Sequence, residues 1–183
     1  WRCKDGDERG QESRWYEIPG LSVTAAFRQD VSCFACPEDY LKLGIQERRE
    51  KNHVFRYWNQ MNWMIYACAF HNLKDWVLHG ILPPKEERYI ELKGTYPTVE
   101  FALDETGNHI GGIRHPYVDV PLGRWTDDAA CILYDKAYRD TLYKDQADYV
   151  RRVRASAEKM VKDRWILPSA AEILIQEAEN IPW

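Results

Sequence analysis

Arg14-Trp15-Tyr16-Glu17-Ile18-Pro19-Gly20-Leu21-Ser22-Val23 reads as the end of a strand and the turn that leaves it. Trp15, Tyr16 and Ile18 are aromatic or β-branched, and a strand covered on both faces need not alternate apolar and polar residues. Pro19 cannot donate to a ladder and Gly20 permits a sharp exit, so the strand is expected over residues 14–18. Open α/β sheets place chemistry at the carboxyl edge of their strands, which makes this turn the candidate site. It presents Leu21, Ser22 and Val23, none of them an acid, a base or a metal ligand.

The chain has 183 residues, enough for one domain with a real core, and its eight tryptophans argue for a packed globule. Its net charge is −4, with both signs interspersed, which gives neither nucleic acid nor an anionic membrane a reason to bind. No apolar run reaches the ~18 residues of a membrane span. The chain starts at Trp1 without a signal peptide, so a mature, cleaved or trimmed amino terminus is expected. Cys3, Cys33, Cys36, Cys68 and Cys131 form an odd set, so at least one is unpaired within the chain. Cys33-Phe-Ala-Cys36 has metal or redox spacing, but no second Cys/His pair stands at finger spacing. Pro37 follows where a redox pair needs a clean helix start, so the cysteines read as structural or disulfide-bonded, with no metal site and no cofactor. An odd set fits both a reduced cytosol and an incompletely paired secreted chain, so the compartment is not readable.

Outward from the turn, residues 24–45 read as a long loop and Gln46–Asn52 as a solvated charge run. Residues 54–80 hold the strongest helical pattern. Met61, Ile65, Cys68, Asn72 and Trp76 recur at helical spacing, joined by Met64, Leu73 and Val77. Gly80 is placed to cap the helix, and Pro83-Pro84 forbid its continuation. His53, His71 and His79 fall along this region. His53 precedes the helix and can approach Val23 if the loop folds back. Residues 88–122 read as a β excursion, with strands Tyr89–Leu92 and Val99–Leu103, a turn at Asp104–Asn108, and Tyr117–Val120 extended between Pro116 and Pro121. Gly111-Gly112 marks a bulge or a close backbone approach. Arg114 suits a buried ion pair, with Asp119 as partner, or a carbonyl clamp. Residues 125–142 read as irregular, with helix as an alternative for part of the stretch. Residues 145–180 hold two helices, the first with Tyr149, Val153, Ala157, Met160 and Trp165 inward, the second opened by a Ser169-Ala-Ala-Glu172 capping box.

Several separated stretches resemble one family. Tyr16-Glu17-Ile18-Pro19-Gly20-Leu21-Ser22 resembles the Tyr-Glu-Val-Ala-Gly-x-Ser-His run of α/β-hydrolase-domain proteins, with Val23 where that family's triad histidine stands. Phe70–Pro84 resembles its helix ending in Trp-Val-x-x-Gly-x-x-Pro-Pro. Gly111-Gly-Ile-Arg-His-Pro-Tyr-Val-Asp-Val-Pro121 resembles its Gly-Gly-Ile-Arg-x-Pro-x-Val-x-Val-Pro signature, and Leu142–Pro168 its carboxyl-terminal helix. The motifs occur in family order across nearly the whole chain.

The resemblance implies an α/β fold class, and within it the carboxyl-terminal part of the hydrolase fold: last core strand, long helix, β excursion and carboxyl-terminal helices. It also implies a serine hydrolase acting on esters or lactones, with the triad in the order serine, acid, histidine. The chain contains no Gly-x-Ser-x-Gly, and Val23 cannot accept a proton. A lone core strand exposes both edges, so residues 1–183 are expected to form one unit that is incomplete without a missing N-terminal hydrolase segment or a second chain. Three readings compete. The first is a hydrolase assembly binding a small ester-like molecule, with Leu21, Ser22 and Val23 lining the pocket and His53 as a substitute base. The second is a catalytically degenerate binding or structural subunit. The third is a hydrolase fold reused for non-hydrolytic biosynthetic chemistry.

Overall fold

The structure, a computed structural model, describes residues 5–8, 10, 12–20, 53–125 and 131–183, the side chains of residues 53–60 and 62 excepted. Helix α1 is His53–His79. An antiparallel ribbon, β1 (Leu92–Lys93) and β2 (Glu100–Phe101), pairs Leu92 with Phe101. The short helix α2 (Pro116–Asp119) leads into a second ribbon, β3 (Gly123–Trp125) and β4 (Cys131–Leu133), in which Trp125 faces Cys131. Helices α3 (Lys136–Leu142), α4 (Gln146–Lys162) and α5 (Pro168–Asn180) complete the chain. Among the described residues the sheets are these two-stranded ribbons, with no closed sheet.

One core holds these elements together. Met61, Met64 and Ile65 of α1 join Ile113, Val118, Val120, Trp125, and the inner faces of α4 and α5. Helix α4 buries Tyr149, Val153, Ala157 and Met160, and α5 buries Ala170, Ala171, Leu174 and Ala178. The alanines let the two helix backbones approach closely.

The structure corrects the sequence reading in four places. Among the described residues, residues 14–18 belong to no ladder. Two of their amides are engaged elsewhere: Trp15 N donates to Asp5 Oδ1 at 2.8 Å and Glu17 N to Glu86 Oε2 at 2.6 Å. Residues 116–119 form a helical turn rather than an edge strand, because Pro116 occupies the first helical position, where its missing N–H costs nothing. Helix α5 starts at Pro168 for the same reason, which puts Ser169 inside the first turn instead of at the cap. Residues 125–142 hold the strand β4, which the reading missed, beside the helical part it allowed for, α3, capped by Asp135, whose carboxylate accepts from Tyr138 N at 2.8 Å.

Helix α1 docks on the turn that ends α4. Trp165 N donates to Met160 O at 2.8 Å and Arg164 N to Val161 O at 3.0 Å, the bond pair of a Schellman cap. This cap needs a left-handed residue, usually glycine, yet the position holds Arg164 at φ 64°. The arginine uses the place. Its Nη2 donates to Asn72 Oδ1 at 2.9 Å and its Nη1 to Leu82 O at 3.0 Å. Its carbonyl accepts from Asn72 Nδ2 at 2.9 Å and from Cys68 Sγ at 3.3 Å. Burial pushes the Cys68 thiol up, so it stays a donor at neutral pH. Next door, the Tyr16 and Trp165 rings meet edge-on at 5.0 Å.

Two substitutions separate strain from bonding at this cap. Arg164→Gly relieves ~1 kcal/mol of left-handed strain but loses two charge-assisted bonds of ~1.5–3 kcal/mol each in gross terms. After allowance for partial exposure it should lower unfolding stability by ~1–3 kcal/mol. Arg164→Ala loses the same bonds without the relief and should fall ~1 kcal/mol further in urea titrations.

Candidate functional site

The segment that leads into the candidate turn is gripped at Glu17. Besides the Glu17 N bond to Glu86, Glu17 O accepts from Ile113 N at 2.8 Å and Glu17 Oε2 accepts from Ile90 N at 2.9 Å. This binds three chain segments, 15–19, 86–90 and 111–113, into one block. The crossing is so close that side chains are excluded from it. A Cβ on Gly111 would lie 2.1 Å from Tyr89 O, and one on Gly112 would lie 2.7 Å from Glu17 O and 2.9 Å from Pro19 Cδ. Both glycines have positive φ, 83° and 70°.

Gly20, at the mouth of the turn, lies against Trp125 of β3 and Met61 of α1: a Cβ there would meet the Trp125 ring at 3.2 Å and Met61 Cε at 3.3 Å. Trp125 is itself fixed at both ends. Its N donates to Asn108 Oδ1 at 2.9 Å and its Nε1 to Tyr117 O at 3.2 Å. Asn108 is fully buried, and its Nδ2 reaches Gly123 O, Tyr134 Oη and Thr106 Oγ1 at 3.0–3.2 Å.

Arg114 closes the loop around this shelf. Its Nη1 donates to His109 O, and its Nη2 to Asp104 Oδ2 at 2.7 Å and Val118 O at 2.9 Å, while its Nε lies 3.6 Å from Asp119 Oδ1. Burial pushes the Asp104 carboxyl up, but hydrogen bonds from Thr106, the Asn108 amide and Arg114 outweigh it and hold the group below the usual carboxylate range. Asp119 also accepts from Ser156 Oγ at 2.8 Å, which ties the loop to α4.

The sequence reading passed over His115 as a variable signature position, and the structure buries it completely. Its Nδ1 accepts from Tyr117 N at 3.3 Å and caps α2, and its ring lies 4.7 Å from that of Tyr117. Among the described residues its Nε2 has no partner. Burial takes its pKa down to about 3, so at neutral pH the ring is uncharged and carries its proton on Nε2. With no exposed face and, among the described residues, no carboxylate behind it, it lacks what a triad base needs. The one sequence signal for it was its place between Arg114 and Pro116, at a helix cap.

Leu21, Ser22 and Val23 lie outside the described residues, as do Cys3, Cys33 and Cys36. His53 is the first residue of α1, about 12 Å of helix axis before the Met61 contact with Gly20. His71 is exposed and sits 3.4 Å from Asp75, and His79 ends the helix. Cys68 and Cys131 are free and buried. Among the described residues no group of three His, Cys, Asp or Glu side chains is arranged to hold a metal ion, and no helix is long and apolar enough to cross a membrane.

Comparison with protein families matches residues 1–176 to the alpha/beta hydrolase domain, and the chain belongs to that family. No curated protein and no solved structure matches the chain.

Two predictions follow the geometry of the shelf. Gly111→Ala adds a backbone clash to left-handed strain and should cost at least ~3 kcal/mol, whereas Gly80→Ala, with φ 68° and open space around it, should cost ~1 kcal/mol. Denaturant midpoints of the two variants check the difference. For His115 the unfolded chain takes up a proton near the ordinary value of 6.5, the folded chain only near 3. Its contribution is therefore complete above pH 6.5 and lost progressively as the pH falls toward 3. His115→Asn keeps a cap acceptor and should flatten that part of the stability profile. The Asp104 contribution fades only below its ordinary 3.8, beneath most of this window.

Proposed function

We propose that this chain is the carboxyl-terminal part of an α/β-hydrolase unit whose whole assembly hydrolyses a carboxylic ester or lactone. Its contribution is the pocket loop that begins at Leu21. The observation that carries this reading is the anchoring of the turn. Gly20 rests on Trp125 and Met61, and the segment behind it is locked to Gly112 and Ile113, within the stretch that resembles the family signature. A rigid block ending at a sharp turn is what a catalytic loop requires, because a catalytic group displaced by ~1 Å can lose ~100-fold in rate.

In this reading Leu21, Ser22 and Val23 line the pocket for a small ester-like molecule. The nucleophilic serine and its acid come from the missing N-terminal hydrolase segment or from a second chain. The serine oxygen attacks the ester carbonyl, a base takes its proton, and the alcohol leaves carrying that proton. Water then releases the acid. Val23 cannot be the base, so His53 or a residue of the other part serves. No metal or cofactor is called for. A second reading is favoured by Val23 itself: the loop has kept its anchoring and lost its chemistry, leaving a binding or structural subunit.

A serine-directed fluorophosphonate separates the two. The hydrolase reading predicts labelling of a serine in a Gly-x-Ser-x-Gly context in the native particle, outside residues 1–183, and slower labelling in His53→Gln if His53 is the base. A particle that takes no label supports the binding subunit.

A further inference from the structure

The side chains of residues 14–18 alternate between two faces. The Arg14 guanidinium lies over the Trp76 ring at 5.5 Å, Tyr16 meets Trp165 edge-on, and Ile18 packs against the core. Trp15 and Glu17 share the other face, with Trp15 Nε1 donating to Glu17 Oε1 at 3.3 Å. A period of two is that of a strand, and it sends the backbone groups of odd and even residues to opposite edges. The odd edge is closed by this chain. Ser13 N donates to Gly6 O at 2.9 Å and Gly6 N to Ser13 O at 3.2 Å. Trp15 N is held by Asp5, Glu17 N by Glu86, and Glu17 O by Ile113. The even edge is open: among the described residues the backbone N–H and C=O groups of Arg14, Tyr16 and Ile18 bond to nothing. A row of unpaired alternate backbone groups is a template for a further strand.

We propose that the even edge of residues 14–18 receives one strand of the hydrolase segment that carries the nucleophilic serine, running parallel to it. The proposal rests on the hydrolase reading and names where the missing part joins. The chemistry of the edge selects a strand, because an extended backbone offers donors and acceptors at every second residue, about 6.6 Å apart, as this edge does. One neighbour completes the segment, since its other edge is already closed. Direction follows from the turn. The pocket loop begins at Leu21, directly after Gly20, and open α/β sheets gather their chemistry where strands end. A parallel neighbour ends beside Gly20, whereas an antiparallel one begins there. The same argument sets aside a second copy of this chain. Pairing the edge with itself about a two-fold axis is antiparallel, sends the two Gly20 turns to opposite ends, and brings no Gly-x-Ser-x-Gly.

Hydrogen exchange of the native particle, read amide by amide, tests this. Trp15 and Glu17 are the internal reference, because this chain itself holds their amides. Tyr16 and Ile18 should exchange as slowly as they do, roughly 100-fold or more below the rate of an unstructured amide. Replacing the Ile18 amide by an ester removes the N–H and keeps the side chain, and in urea titration of the particle it should lower the folding equilibrium about tenfold. Free exchange at Tyr16 and Ile18 beside slow Trp15 and Glu17 overturns the proposal. So does an ester variant as stable as the wild type, whose amide is then covered without being bonded, and so does slow exchange in a particle built only from residues 1–183. The two proposals fail separately. Fluorophosphonate labelling together with free exchange at Tyr16 and Ile18 removes the strand and leaves the hydrolase reading standing. Slow exchange in a particle that contains a further segment but takes no label keeps the strand at this edge and removes the hydrolase reading.

Discussion

No side chain fits where residues 111 and 112 cross the rest of the chain, and the described structure turns on that constraint. Tyr89 O and Glu17 O lie within 3 Å of where a Cβ would stand. Such an approach is open only to glycine, and the gain is a set of backbone and carboxylate hydrogen bonds that bind segments distant in sequence into one block. Glu17 is the centre of that block, holding Glu86, Ile90 and Ile113 through its N–H, its carboxylate and its carbonyl. What emerges from the block is the turn at Gly20, so its position is set by the crossing and by the Trp125–Met61 shelf beneath it.

The shelf depends in turn on a loop that satisfies itself. Asn108, Arg114 and Asp104 engage carbonyls and amides that a loop buried this deeply would otherwise leave unpaired. Helix α1 supplies the other half. It is fastened near its carboxyl end by Arg164, which accepts a strained backbone conformation in return for bonds to Asn72 and Leu82. Both devices place an unusual backbone conformation where distant segments meet.

Periodicity made the long helices legible. The spacing of Met61, Ile65 and Cys68 suffices to see α1, and that of Tyr149, Val153 and Ala157 to see α4. The Gly-Gly pair announced a close approach, though not its partners, because contacts between residues 17, 89 and 112 leave no local trace. Residues 14–18 carried a strand's composition, but the Trp15 and Glu17 amides meet Asp5 and Glu86, and only the fold could reveal that. Proline misled at 116, since it marks a strand edge and a helix start equally well, and at 168 the Ser169-Ala-Ala-Glu172 pattern hid a helix that already starts at the proline. Leu21, Ser22 and Val23 were legible as residue types only, and Val23, where the resembling family has its histidine, is the most informative of them.

The central claim is that this chain supplies the anchored loop of a larger hydrolase unit. The native mass of the particle, followed by the mass and sequence of every chain in it after denaturation, tests that most directly. The account predicts a Gly-x-Ser-x-Gly sequence in the particle, on a longer form of this chain or on a second one. A stable particle built from the 183 residues alone, as monomer or dimer, would contradict it.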